Sequence, residues 1–327
     1  MRSPPDREER SPDERQLGEA SGIEALPKRV NRYGDAKRRA LEVAEYIEGQ
    51  EGCRALHRRV SECGEYLVFR HYWSIDQVRL HAAHFCTKHL LCPLCAIRRG
   101  AKALSAYLPR YEAVRLAAPL LRPFLVTLTV KDGEDLAERF KHLQRSQREL
   151  WMRKHRRRGS ALDGVAAAVW SYEVKRGKGS GLWHPHLHMV AMAESMPDAL
   201  ELAAEWRNIT GDSFIVDVRP IDELDPASGF LEVFKYALKF SDMEVEDTFE
   251  AFKTLQGLRL VASAGLFRGI EIPESLLDEP LDDLPFVDLF YRYLAGRYQL
   301  QPLGTRRGAL QGQSLQAPGQ SPTTLGS

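Results

Sequence analysis

No stretch of this chain is apolar for long enough to cross a bilayer, and its amino terminus is polar, without the apolar core of a secretion signal. A helical membrane span is excluded, and a cytoplasmic location is the expectation. Net charge is almost missing as well. The 46 Lys and Arg residues face 45 Asp and Glu residues, leaving a formal +1, so bulk charge does not announce a nucleic-acid partner. Cysteine is sparse: five in 327 residues make a poor disulfide framework and suit metal ligation or free thiols better. No Gly-x-x-x-x-Gly-Lys-Ser/Thr occurs, so no phosphate-binding loop of that type powers a motor. Internal repeats are absent too. What remains is ordinary for a globular protein, 43% hydrophobic and 28% charged, and long enough for one large domain or two modest ones.

The charge is unevenly spread. Arg139, Lys141, Arg145, Arg148, Arg153, Lys154, Arg156, Arg157 and Arg158 are opposed only by Glu149, while acids gather in residues 271–288. Such a stripe can grip a phosphate backbone in a nearly neutral chain, or be a solvated helix face. Residues 1–35, rich in Pro, Glu, Arg, Asp and Ser, read as lacking fixed structure, with one short amphipathic helix at 35–48. The tail from 302 to 327 reads as disordered.

Between these ends the pattern is mixed. Strands are expected at 124–130, 165–174, 183–191 and 213–218, and helices at 132–155, 198–209 and 225–240. A short hairpin or helix near 258–270 and a final helix at 285–297 complete the chain. Lys175-Arg176-Gly177-Lys178-Gly179-Ser180-Gly181 is a glycine-rich turn that makes the second and third strands antiparallel neighbours. Strand–helix–strand–strand–helix–strand describes an α+β fold with an antiparallel, split-βαβ ferredoxin-like sheet and packed helices.

The third strand carries the most chemistry. In Trp183-His184-Pro185-His186-Leu187-His188-Met189-Val190 the side chains alternate between faces, so His186 and His188 project together, about 7 Å apart along the strand, while Leu187 turns inward. Two such imidazoles can share one metal ion. Across the glycine turn Glu173 falls opposite the start of the histidine strand and is a candidate third ligand, with His184 as its competitor. Two histidines and a carboxylate would also suit non-haem iron, which makes an iron oxygenase a rival reading of this feature alone.

The helix at 225–240 argues against iron. At 100° per residue, Glu232, Tyr236 and Lys239 fall within an arc of about 60°, with Phe230, Leu231, Phe234 and Leu238 on the other side to pack on the sheet. A phenol titrating near about pH 10 is a weak nucleophile, and a cation such as Lys239 favours its ionised form. A divalent ion on the histidines would polarise a scissile phosphate, Tyr236 would attack it to leave a phosphotyrosine, and Glu232 would serve as general base for the resolving step.

Upstream, Cys92-Pro93-Leu94-Cys95 places two thiols at zinc-binding spacing, and Cys63 with Cys86 would complete a tetrahedral, structural zinc set. Cys53, His57, His84 and His89 are the alternative ligands. A redox pair is the rival, and it needs a strand-to-helix junction that the surrounding pattern does not offer. Arg98, Arg99 and Lys102 follow on an expected helix and could touch phosphates.

Together these residues resemble the plasmid rolling-circle replication initiators of the HUH endonuclease superfamily. The likeness runs in order through 124–130, Glu173, 184–188 and Glu232-Val233-Phe234-Lys235-Tyr236-Ala237-Leu238-Lys239, with the cysteines upstream. It implies site-specific nicking of one strand of plasmid origin DNA, taken as a single strand. Tyr236 would stay on the 5′ phosphate, His186 and His188 would hold Mg²⁺ or Mn²⁺, and the cycle would end by strand transfer or hydrolysis. Arg98, Arg99, Arg153, Lys154, Arg156, Arg157 and Arg158 are the expected DNA contacts. A host helicase and a DNA polymerase are the implied partners, with no membrane. Glutamate at position 232, where related transposases carry a second tyrosine, disfavours a transposase. The implied organisation is a largely disordered region at 1–50, a zinc-binding segment at 51–110, an HUH endonuclease domain at 120–272, and a C-terminal helix with a disordered tail at 273–327. A zinc-containing DNA-binding protein without catalysis, or a transposase or relaxase of the same superfamily, is the alternative.

Overall fold

A computed structural model of the chain describes residues 22–156, 159–235, 243–281 and 284–302. Order begins earlier than expected. A 3-10 turn at Ile23–Ala25 leads into α1 (Leu26–Glu48), a helix of 23 residues opened by a proline in its first turn. Leu26, Val30, Tyr33, Ala40, Val43, Ala44 and Ile47 recur at helical spacing and are buried in the main core. The dense Arg and Lys between them mask this stripe in a composition-based reading. A short helix α2 (Arg54–Ser61) packs on α1 and precedes the hairpin of β1 (Tyr66–Tyr72) and β2 (Gln77–Ala83). The long helix α3 (Pro93–Ala117) follows.

The central sheet then builds from β3 (Arg122–Thr129), helix α4 (Leu136–His155), β4 (Ala167–Arg176), β5 (Trp183–Ala193), helix α5 (Ala199–Thr210) and β6 (Val216–Pro220). Helix α6 (Pro226–Phe234), helix α7 (Val245–Leu255) and β7 (Val261–Gly265) come next. The spatial order is β6-β3-β5-β4-β7, and every pairing is antiparallel. The α+β class and the strand–helix–strand–strand–helix–strand succession expected from the pattern are both present. Asp135 and Asp198 cap α4 and α5 by accepting hydrogen bonds from backbone N–H groups of the first turn.

Alternation along β4 and β5 gives the sheet two distinct faces. Tyr172 and Leu187 share one face, where Phe140 of α4 meets the Tyr172 ring at 5.4 Å. Ser171, Glu173, His186 and His188 stand on the other, towards which α6 packs on β3, β4 and β5, with α3 behind it. Among the described residues no helix is long and apolar enough to cross a membrane.

The chain does not end in the helix expected at 285–297. It forms a hairpin of β8 (Val287–Leu294) and β9 (Arg297–Gln301), joined to the first hairpin as a second sheet of order β2-β1-β8-β9. The turn residues Ala295 and Gly296 have φ of 50° and 82°, the left-handed pair of a two-residue hairpin turn. Leu289, Tyr291 and Tyr293 alternate with Asp288, Phe290 and Arg292, a period of two that a helical reading overlooks.

One buried ionic cluster ties these parts together. Asp278 accepts from Arg98 at 2.6 Å, Arg29 at 3.0 Å and the Leu80 amide at 2.6 Å, joining α3, α1, β2 and the 273–281 segment. Burial alone would raise this carboxyl, but the Arg98 and Arg29 guanidiniums outweigh it and hold it well below the usual carboxylate range. A depressed folded-state value means that the cluster stabilises the fold above the unfolded carboxyl's pH of about 4 and loses that contribution as pH falls further. Urea titrations at stepwise lower pH should therefore show the wild type losing stability below about pH 4. Asp278→Asn should start about 3–5 kcal/mol less stable, because two buried guanidiniums lose their counter-charge, and should change less with acid. Parallel acid profiles for the two proteins would contradict this.

Candidate active site and a four-cysteine centre

β4 and β5 converge three donors on one point. Glu173 pairs in register with His186, and Ser171 with His188, so the carboxylate sits directly across from the histidines. Glu173 Oε1 lies 3.4 Å from His186 Nε2, and Oε2 lies 3.3 Å from His188 Nε2. One donor atom from each residue falls within 4.8 Å of the others. The far sides of both rings are anchored: His188 Nδ1 to the Thr127 hydroxyl at 3.1 Å, and His186 Nδ1 to the His184 carbonyl at 3.4 Å. Both rings therefore turn Nε2 to the centre, with Nδ1 anchored behind.

Burial pushes the His186 imidazole down to about 4, against the pull of Glu173, so it is neutral at physiological pH. Burial would raise Glu173, yet the neighbouring His186 and His188 outweigh it and hold the carboxyl well below its usual range. A neutral imidazole thus faces an ionised carboxylate in a buried site. That donor set, two imidazoles and one carboxylate, fits a divalent cation and leaves further coordination positions for a phosphate or water.

His184, the competing third ligand, is engaged elsewhere. Its Nδ1 lies 2.5 Å from Asp132 Oδ1, and Asp132 also accepts from Ser180 of the glycine turn. The position of Asp132, just past the end of β3, gives no sequence signal for this pairing.

Glu232 comes to the same side, with His188 among the charges that act on it. Its ion-pair partner is Lys235 at 2.7 Å. Burial would raise the Glu232 carboxyl, but Lys235 overrides this and lowers it. The helix expected to run through residue 240 ends at Phe234, and Lys235 is extended with ψ near −179°. Tyr236 and Lys239 themselves lie outside the described residues.

Helix α3 stands immediately behind α6. The Tyr107 ring lies 4.9 Å from Phe234 and the Tyr111 ring 5.6 Å from Phe230. A Cβ at Gly100 would stand 2.5 Å from the Phe234 carbonyl, so only glycine lets the two backbones approach this closely.

The same helix begins in the cysteines. Cys63, Cys86, Cys92 and Cys95 are all buried and converge, with Sγ–Sγ distances of 3.5 Å for Cys63–Cys95 and Cys86–Cys95 and 3.6 Å for Cys92–Cys63. Disulfides would need about 2.05 Å. Four thiolates around zinc at about 2.3 Å would stand roughly 3.8 Å apart, close to the spacing here. The Cys86 amide donates to Cys63 Sγ at 3.3 Å, and Cys92 and Cys95 flank the N-terminus of α3, where the helix dipole favours thiolate. Cys53, His57, His84 and His89 fall outside this group.

The basic residues divide. Arg98 is fully buried in the Asp278 cluster and cannot be a DNA contact. Its +1 neighbour Arg99 is half-buried and lines a cleft with Ser171, the register partner of His188, and with Phe234, Lys235 and Arg259. Arg153 pairs with Glu149 at 3.2 Å, Lys154 lies over Trp151, and Arg156 is exposed at the end of α4. Because α4 covers the opposite face of the sheet, this stripe does not line the histidine cleft. Arg157 and Arg158 lie outside the described residues.

Comparison with known proteins gives a consistent picture. Residues 77–288 match the family model Rep_1, described as "Replication protein". The chain is 27% identical over 249 residues to "Protein rep" of Streptococcus pneumoniae serotype 2 (strain D39 / NCTC 7466), covering 71% of this chain and 76% of the relative. It is 26% identical over 296 residues to "Protein rep" of Bacillus amyloliquefaciens, covering 76% and 83% respectively. A third similar protein, "Protein rep" of Lactiplantibacillus plantarum, is 27% identical over 285 residues, with 79% and 87% covered. No solved structure matches.

Proposed function

Since the chain belongs to the replication protein family, we propose that it initiates rolling-circle replication of a plasmid by nicking one strand of the origin. The observation that carries this reading is the convergence of Glu173, His186 and His188 on one point. A DNA-binding module without catalysis gives that buried, charged set nothing to do. The central sheet, in which the first and third strands of the strand–helix–strand–strand–helix–strand unit pair at its middle, supports a ferredoxin-like sheet of HUH endonuclease type.

Glu173, His186 and His188 would hold the catalytic Mg²⁺ or Mn²⁺. Once bound, that ion supplies Lewis-acid polarisation of the scissile phosphate. Thr127 and the His184 carbonyl fix the two rings so that both Nε2 atoms aim at one place. Asp132 orients His184, and Arg99 and Arg259 offer positive charge along the cleft that Ser171 and Lys235 also line. Tyr236, two residues past the end of α6, is the nucleophile of this reading. Its oxygen forms a bond to phosphorus, the bond from phosphorus to the 3′ oxygen breaks, and the phenolic proton is lost to solvent as the 3′ oxygen gains one. The products are a 5′-phosphotyrosine and a free 3′ hydroxyl that primes synthesis. Glu232 is the general base that readies the attacker in the later hydrolytic or transfer step, released from Lys235 for the purpose. The four cysteines would hold zinc in a structural role, with no open position for chemistry. Unwinding would fall to a separate helicase, and extension to a polymerase.

The test is covalent trapping. Incubated with Mn²⁺ and single-stranded origin DNA, the wild-type protein should form an adduct that mass spectrometry places on Tyr236, and Tyr236→Phe should form none. An adduct of equal yield in that variant, or none with wild type, ends this reading.

A further inference from the structure

The second sheet has no part in the nicking site, and its outer face carries an unusual set of side chains. We propose that this face binds single-stranded DNA, as a platform for the strand that flanks the nick; the identity of the ligand rests on the nicking function proposed above. In register, Tyr66 opposes Arg292, Val68 opposes Phe290, Arg70 opposes Asp288, and Arg70 also opposes Arg79. Across the last hairpin Arg292 opposes Gln299, and Leu294 opposes Arg297. The inner face of the same strands, with Leu67, Phe69 and Leu80, is core.

Three properties suit a single strand. First, the aromatic rings lie on the open face: Tyr66 is 36% exposed, and its ring is 6.1 Å from that of half-buried Phe290. Exposed rings on a flat sheet are stacking surfaces for unpaired bases. Second, the charge is complementary to phosphate. Arg70, Arg79, Arg292 and Arg297 share the face with one acid, Asp288, which Arg70 already holds at 3.1 Å. Third, width argues against a duplex. Four strands spaced about 4.8 Å apart span roughly 14 Å before side chains are added, more than the roughly 12 Å of a major groove. Tyr66, Arg70, Phe290, Arg292 and Arg297 also lie outside residues 77–288, the span shared with the family model. A contact surface particular to one origin would be carried there.

The experiment uses the full chain, a fluorescein-labelled 30-nucleotide oligo-dT, and a 30-base-pair duplex of random sequence, without added divalent ion. Tyr66→Ala with Phe290→Ala should weaken single-strand binding about five- to hundredfold, the effect of losing a stacked base. Arg292→Glu with Arg297→Glu, both on exposed hairpin positions, should flatten the dependence of log affinity on log salt by about 1.4, the loss of two phosphate contacts on a single strand. Oligo-dT carrying 5-iodouracil should crosslink to Tyr66 or Phe290. Affinities within twofold of wild type for both variants, an unchanged salt slope, or a duplex that loses as much affinity as the single strand would overturn the proposal. Because binding is read without cleavage, a wild-type protein that binds but never nicks sinks the nicking function and leaves this result standing.

Discussion

Glu173→Gln is expected to lose metal-dependent nicking by about 10³-fold, the scale of removing one preorganised electrostatic group from a reacting phosphate. The same change should also make the chelator-treated protein less stable than wild type at neutral pH. Glutamine keeps the shape of glutamate, and it removes an ionised carboxylate from a site that is almost completely buried. Even without an ion, His186 and His188 outweigh burial in favour of the ionised carboxylate, so its removal takes away a stabilising interaction. Function and stability should therefore fall together. Adding Mn²⁺ at a hundredfold excess over its dissociation constant should stabilise wild type by about 2.7 kcal/mol and the variant far less. Melting curves with and without ion, set beside cleavage rates, decide the matter. A variant that melts with or above wild type in chelator would contradict the stabilising pairing of Glu173 with the two histidines.

The second large effect is expected at the cysteines. Cys95→Ser, or prolonged treatment with a strong zinc chelator, should remove the cooperative unfolding transition of the protein rather than shift it modestly. Four thiolates holding zinc contribute about 10–16 kcal/mol in small peptides, which equals or exceeds the roughly 5–15 kcal/mol of a whole domain. Here the four sulfurs sit inside the same core cluster as α1, β1 and α3, so there is no separate lobe to unfold alone. One zinc per chain by elemental analysis, lost together with the transition in Cys95→Ser, is the expected pairing. A metal-free wild type with an unaltered melting point in that variant would show four ordinary buried thiols instead.

How much of this was readable beforehand depended on the range of the interaction. The convergence of Glu173 with His186 and His188 followed from alternation along β5 and from one glycine turn, both local properties of the chain. Cysteine spacing was equally local, and all four expected ligands meet. What escaped notice was set by partners distant in sequence. Arg98 looked like a surface cation because nothing near it announces Asp278, 180 residues away, and the pair buries both. Helix α1 was hidden by its charged residues, although its apolar stripe repeats every three to four positions. At 285–297 a period of two lies under an apparent period of 3.6, and the left-handed turn at Ala295 and Gly296 is the signal that separates them. The end of α6 at Phe234 has no breaker residue in the sequence. There tertiary packing overrides propensity, and it makes Lys235 the partner of Glu232.

The contact between Gly100 and the Phe234 carbonyl bears on how such an initiator could be cut down or recombined. With α3 pressed backbone to backbone against the helix that carries Glu232, the four-cysteine half is the wall against which the five-stranded half is aligned. A truncated tool made of the five-stranded sheet alone, or a chimera joining halves of two initiators, would inherit the histidines but not that alignment. The productive crossover points lie on either side of this helix pair, never between its members.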